Sequence, residues 1–121
     1  MDLSAKAQYI QRVTNTTASL TTINSTLLYT APSGGDFDFV IIESILVTED
    51  GGQQTNFTLT LTDSQSVVHT LWSEHNVPAH STDELLTRSL VLTAGEILHC
   101  TAGHADKLSV IMSLVEYGKG D

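Results

Sequence analysis

Asn56-Phe57-Thr58-Leu59-Thr60-Leu61-Thr62 alternates strictly between apolar and polar side chains. Successive side chains of an extended chain point to opposite sides, so Phe57, Leu59 and Leu61 share one face and Thr58, Thr60 and Thr62 the other. A half-buried strand with a solvated threonine side is the state this pattern favours. The period of two recurs along the chain. Residues 108–117 place Leu108, Val110, Met112 and Leu114 on one face and Ile111, Val115 and Tyr117 on the other, while residues 66–73 send Val68 and Trp72 one way and Val67, His69 and Leu71 the other. Residues 36–48 are apolar on both faces over much of their length, which marks a central or doubly covered strand.

Turn signals separate these runs at intervals of roughly ten residues. They are Pro32-Ser33-Gly34-Gly35, Glu49-Asp50-Gly51-Gly52, Asp63-Ser64, Asn76-Val77-Pro78, Ala94-Gly95 and the stretch from Gly103 to Asp106. Ala94-Gly95 links residues 89–93 to 96–101 as a tight hairpin. With further strands at 19–23 and 26–30, the count is about eight, enough for an all-β, antiparallel two-sheet sandwich of jelly-roll-like form. Residues 78–87 read either as a short helical turn, from Ser81 or Thr82 followed by Asp83 and Glu84, or as chain leading straight into a strand.

The first sixteen residues differ. Leu3, Ala7, Ile10 and Val13 recur at near-helical spacing in a stretch too short to hold a helix alone. The sequence therefore divides into an extended N-terminal arm, residues 1–16, and a β-sandwich domain, residues 17–121. The arm carries Lys6 and Arg12 against Asp2, whereas the rest carries three cations and thirteen acids. A slightly basic, sparsely apolar arm beside an acidic body invites docking on a neighbouring copy or another protein, through Leu3, Lys6, Ile10, Arg12 and Val13. A frayed terminus is the plainer alternative.

Composition sets the outer bounds. One compact domain fits in 121 residues. Five Lys and Arg against fourteen Asp and Glu give a formal charge of −9, which repels phosphate backbones and sets nucleic acid aside as a partner. Ser and Thr fill 29 positions, so the surface is hydroxyl-rich. The longest apolar candidate for a membrane span, residues 39–47, is too short and is interrupted by Glu43, so no membrane partner is expected. The opening MDLSAKAQYIQ lacks the apolar core of a secretory signal, and a single cysteine, Cys100, permits no intrachain disulfide. The glycosylation-type triplets at Asn15, Asn24 and Asn56 then read as by-products of Thr and Asn abundance.

No constellation of catalytic residues stands out. His99 and Cys100 are neighbours in a strand and point to opposite faces, so they cannot share an ion. His75 and His80, with Glu74, form the one plausible ligand group, and solvated histidines are the commoner outcome of such a loop. There is no Gly-x-Ser-x-Gly elbow, and Cys100 in an apolar strand reads as a buried, inert thiol. The acid pairs Asp36/Asp38, Glu49/Asp50 and Asp83/Glu84 sit at turns or strand ends where solvated acids are ordinary. No metal, no cofactor and no enzymatic activity are expected. Glu43 and Arg88 interrupt apolar strand faces. Pairing across the sandwich, rotation to solvent by a bulge, and burial in a subunit contact are three ways to place them.

LLYTAPSG at 27–34, ESILVTEDG at 43–51, TLTLTD at 58–63 and VLTAGEILHCTAG at 91–103 together resemble small β-sandwich structural proteins of tailed bacteriophages. A "YTAP"-type entry, an "ilvt" strand and a "vLxaGexL" hairpin recur there in that order, although Glu49 stands where Asn is frequent. The resemblance implies a non-enzymatic virion component, made in the host cytoplasm and carried on the capsid surface. It implies a capsid decoration or cement protein, a homo-oligomer and by preference a trimer, that binds the major capsid protein lattice and stabilises it. A tail, neck or baseplate accessory protein and a carbohydrate-binding jelly-roll module are the alternatives. With one Trp, three Tyr and three Phe, the chain has few rings to stack on a sugar. Its two-sided apolar strands independently point to a symmetric oligomer.

Overall fold

The chain behaves as one long hairpin rolled upon itself. In the computed structural model, which describes residues 8–119, nine strands run in the order β1 Tyr9–Leu20, β2 Thr26–Thr30, β3 Phe37–Glu49, β4 Thr55–Thr62, β5 Val68–Val77, β6 Thr82–Glu84, β7 Leu90–Thr93, β8 Ile97–Ala102 and β9 Leu108–Gly118. The hairpin tip is the turn between β4 and β5. There the Asp63 carboxylate accepts the backbone N–H groups of Gln65 and Val67 at 2.9 and 3.0 Å, and Ser66 takes a positive φ of 66°. From that tip the paired arms are β4 with β5, β3 with β6 and β7, β2 with β8, and β1 with β9, all antiparallel. Rolling the hairpin adds the pairs β3 with β9 and β4 with β8. The result is a five-stranded sheet, β1-β9-β3-β6 with β7 also on β3, facing a four-stranded sheet, β2-β8-β4-β5. With β6 and β7 sharing one edge, eight strand positions form a jelly roll.

The inner faces follow the period of two. Phe57 and Leu59 from β4, Leu98 and Cys100 from β8, and Val110, Met112 and Leu114 from β9 are buried in one cluster. Each such side chain contributes about 1.5–3 kcal/mol of burial. In β3 the phase is reset twice. Register shifts between Phe37 and Phe39 and between Ile42 and Ser44 turn Phe37, Val40, Ile42, Ile45, Val47 and Glu49 inward. The second bulge rotates Glu43 to solvent, which settles its placement; Arg88 lies exposed in the bend between β6 and β7, off any strand face.

The arm is the main correction. Tyr9 to Thr16 are not outside the sandwich: they are the first two thirds of β1, paired with β9 from Tyr9 opposite Gly118 to Leu20 opposite Leu108. No separate strand spans 19–23, because Ser19 and Leu20 end β1 and the chain then turns toward β2. The helical spacing has a physical origin. A register shift at Gln11 puts Ile10 opposite Tyr117 and Val13 opposite Val115, so residues three apart share one face of a strand. Leu3 and Lys6 lie outside the described residues. In the 78–87 stretch the strand reading holds, since Thr82–Glu84 pairs with β3.

Candidate functional site

The outer face of the five-stranded sheet divides into an apolar half and a hydroxyl half. Across β1, β9, β3 and β7 the first row is Ile10, Tyr117, Phe39 and Thr93, and the second is Val13, Val115, Ile41 and Val91. Asn15, Ser113 and Ser44 follow, then Thr17, Ile111 and Leu46, then Ser19, Ser109 and Thr48. Val13 is 70 % exposed, Ile10 57 %, Val91 52 % and Ile111 41 %. The Phe39 and Tyr117 rings stack with centroids 4.9 Å apart and planes 16° from parallel. That fixes the centre of the first row as a rigid aromatic platform. At strand and residue spacings of ~4.8 and ~3.4 Å the two apolar rows cover roughly 250 Å², approaching the size at which a monomer's largest patch is often functional.

The two apolar rows carry no charge, whereas Glu84, opposite Leu46, and the exposed Glu43 at the β3 bulge lie on the other half of this face. Its hydroxyl half is bonded internally: Ser113 donates to Asn15 Oδ1 at 2.7 Å, and the Thr48 and Thr82 hydroxyls meet at 2.9 Å. In a chain of net charge −9, the uncharged apolar rows are where another surface approaches with least electrostatic cost.

Of the residues assigned to docking, Ile10 and Val13 lie on this face and Arg12 does not. Arg12 turns to the other side of β1, where Nε and Nη2 donate to the two Glu116 carboxylate oxygens at 3.1 and 2.9 Å. The Tyr29 hydroxyl, from the opposite sheet, donates to the same carboxylate at 2.6 Å. Burial alone would raise the Glu116 pKa; Arg12 and then Tyr29 reverse this and hold the carboxyl below the usual glutamate range. Burial, followed by the bond to Glu116, pushes the Tyr29 phenol well above its ordinary value. Arg12 is therefore paired within its own sheet, and Glu116 carries the link on to the facing sheet through Tyr29.

The remaining chemical candidates are engaged elsewhere. His75 Nε2 lies 3.0 Å from Asp83 Oδ2, and the His80 backbone N–H donates to Glu49. Cys100 is buried in the core, where desolvation pushes its thiol up to about 11. Among the described residues, no group of three His, Cys, Asp or Glu side chains is placed to hold a metal ion.

Reading the sequence alone missed the roles of Phe39, Ile41 and Val91 on the outer face and of the buried acid Glu116. The signal for Glu116 was present. It continues the inward series Leu108, Val110, Met112 and Leu114 at the next even position.

No family model and no curated protein matches the chain. Among solved structures, it is similar to a chain in the structure of infectious bursal disease virus Gx strain, at 9 % identity and a TM-score of 0.46, over 95 % of this chain and 37 % of that one. It is similar also to a chain in the structure of the Gt strain, at 9 % identity and a TM-score of 0.42, over 98 % and 38 %. The chain thus spans under two fifths of the length of these virus chains.

Proposed function

We propose that the protein is a non-enzymatic structural component of a virus particle, a capsid decoration or cement protein that binds the major capsid lattice of a tailed phage and stabilises it. The observation that carries this reading is the pair of uncharged, largely apolar rows on the outer face of the five-stranded sheet, with Ile10, Val13 and Val91 standing well clear of the surface. The resemblance of residues 27–34, 43–51, 58–63 and 91–103 to phage β-sandwich proteins supports the choice of partner. A patch of about 250 Å² gives weak binding per copy. Many copies on one lattice compensate by mass action, because a ligand that binds only the assembled shell stabilises it.

The test is co-sedimentation of purified protein with particles lacking it, followed by heating and release of DNA. Wild type is expected to bind in hundreds of copies and raise the temperature of DNA release. Val91→Glu, which sets a charge on an exposed outer-face position, is expected to fold normally and to lose at least about tenfold in binding. Co-purification with tails at a few copies, or heads of unchanged robustness, would overturn the reading.

A further inference from the structure

We propose that two copies of this chain pair through the free edge of β1, antiparallel about a two-fold axis normal to the five-stranded sheet, so that two sheets become one. The inference goes beyond the lattice reading and does not depend on it. A strand edge exposes a row of backbone donors and acceptors, and natural sheets guard such edges with short strands, bulges, charges or proline. The described strands leave four edges, and three are guarded. The far edge of the five-stranded sheet is split into β6 and β7, of three and four residues. In the gap between them the Glu84 carboxylate accepts the Ile45 N–H at 2.8 Å and also the Ser44 hydroxyl, while the Leu85 N–H donates to the Ile45 carbonyl at 3.0 Å. In the other sheet, β2 has five residues and a register shift. Its opposite edge, β5, is interrupted twice and bears Glu74 at a positive φ of 49°.

β1 has little of this protection. It is twelve residues long, pairs with β9 alone among the described strands, and contains no proline and no acid. Its one irregularity, at Gln11, leaves Arg12 to Leu20 in unbroken register, and its one charge, Arg12, is turned to Glu116.

The choice of a second copy as occupant rests on charge and on pairing chemistry. Two chains of −9 repel each other at most surfaces, whereas β1 brings no acid to the contact. Self-pairing sets Thr16 against its own copy, Asn15 against Thr17 and Thr14 against Ala18 across the axis, and β-branched hydroxyl residues pair favourably there. Faces are preserved only if positions of equal parity meet, so the axis passes beside a single residue near Thr16. The same operation puts both apolar outer faces on one side of the joined sheet. Such a contact is isologous and closes at two. A trimer would leave this edge open or need a different strand.

Multi-angle light scattering of the full chain is expected to give twice the 13.0 kDa monomer mass at micromolar concentration. Asn15→Lys with Thr17→Lys, both exposed and outward, places like charges across the axis and is expected to raise the dissociation constant about tenfold or more with circular dichroism unchanged. Single cysteines at Thr14, Asn15 and Thr16 supply a readout independent of that variant. One position is expected to cross-link on mild oxidation far faster than its neighbours, because self-facing residues lie about 4.5–5.5 Å apart at Cα, within disulfide reach. A monomer, a trimer, equal cross-linking at all three positions, or a dimer dispersed by Val91→Glu but not by the lysine pair would overturn the proposal. Loss of particle binding with the dimer intact would overturn the lattice reading alone.

Discussion

Two carboxylates are buried at opposite ends of the sandwich, and they are held in opposite ways. Glu49, at the last position of β3, has no cationic partner among the described residues: its oxygens accept the backbone N–H groups of Gly51, Gly52, Gln53 and His80 at 2.8, 3.0, 3.2 and 2.9 Å. Glu116, near the end of β9, accepts from two side chains, one on β1 and one in the facing sheet. Burial would raise both acids; backbone donors reverse it for Glu49, and Arg12 with Tyr29 reverses it for Glu116, so both lie below the usual range. The difference teaches where each anchor acts. Glu49 folds the β3–β4 turn around itself and ties it to the loop before β6, an arrangement that admits a positive φ of 77° at Gly52 and 57° at His80. Glu116 instead fastens the edge strand β1 to the body.

The largest effect is expected at the Glu49 end. Glu49→Ala leaves four backbone donors without their acceptor at once, in two loops that have no other tie through that carboxylate. Its fall in melting temperature, followed by circular dichroism, is expected to be roughly twice that of any single substitution at the Glu116 end. Glu49→Gln keeps one acceptor and should fall between. An alanine variant that melts with the wild type would show that water replaces the carboxylate and that the two ends are not mechanically different.

Arg12→Met should cost less, about 1–2 kcal/mol in urea unfolding, because the Arg12 side chain is 56 % exposed and the ion pair is partly screened, although its partner is only 8 % exposed. Salt separates the two ends. Raising the ionic strength toward 1 M should shrink the difference between wild type and Arg12→Met, since screening weakens that pair already. The deficit of Glu49→Ala should stay constant, since its donors are neutral. Equal salt sensitivity would erase the distinction.

This contrast also shows how far the sequence could be read. The rolled hairpin was legible because Phe57, Leu59 and Leu61, and Leu108 to Leu114, alternate without interruption, and because Asp63-Ser64 and Ala94-Gly95 mark turns. The acidic turn at Glu49-Asp50-Gly51-Gly52 was visible as a turn. Its carboxylate's role was not, since the fourth donor comes from His80, thirty-one positions on. The Arg12–Glu116–Tyr29 clamp joins residues 104 and 87 positions apart, a separation at which no local pattern speaks. Bulges hid the rest. One extra residue at Gln11 made a strand imitate helical spacing, and one at Glu43 moved the apolar phase of β3.

The smallest effect, and the one most specific to one end, lies at alkaline pH. Acid should weaken both ends alike. Both carboxyls sit lower in the folded chain than the ~4.3 of an unfolded glutamate, so the folded chain binds fewer protons there, and the stability they lend is present above that value and lost as pH falls through the folded ones. Tyr29 runs the other way. Its folded pKa is raised, so its contribution is complete below the unfolded value near ~10 and is lost as pH rises toward the folded one, the unfolded chain giving up its proton first. Urea midpoints measured from pH 9 to 12 should therefore decline less steeply in Tyr29→Phe than in wild type, while Glu49→Gln should keep the wild-type slope. If the phenylalanine variant declines as steeply as wild type, the Tyr29 hydroxyl is not bound to Glu116 in solution, and the clamp reduces to its ion pair.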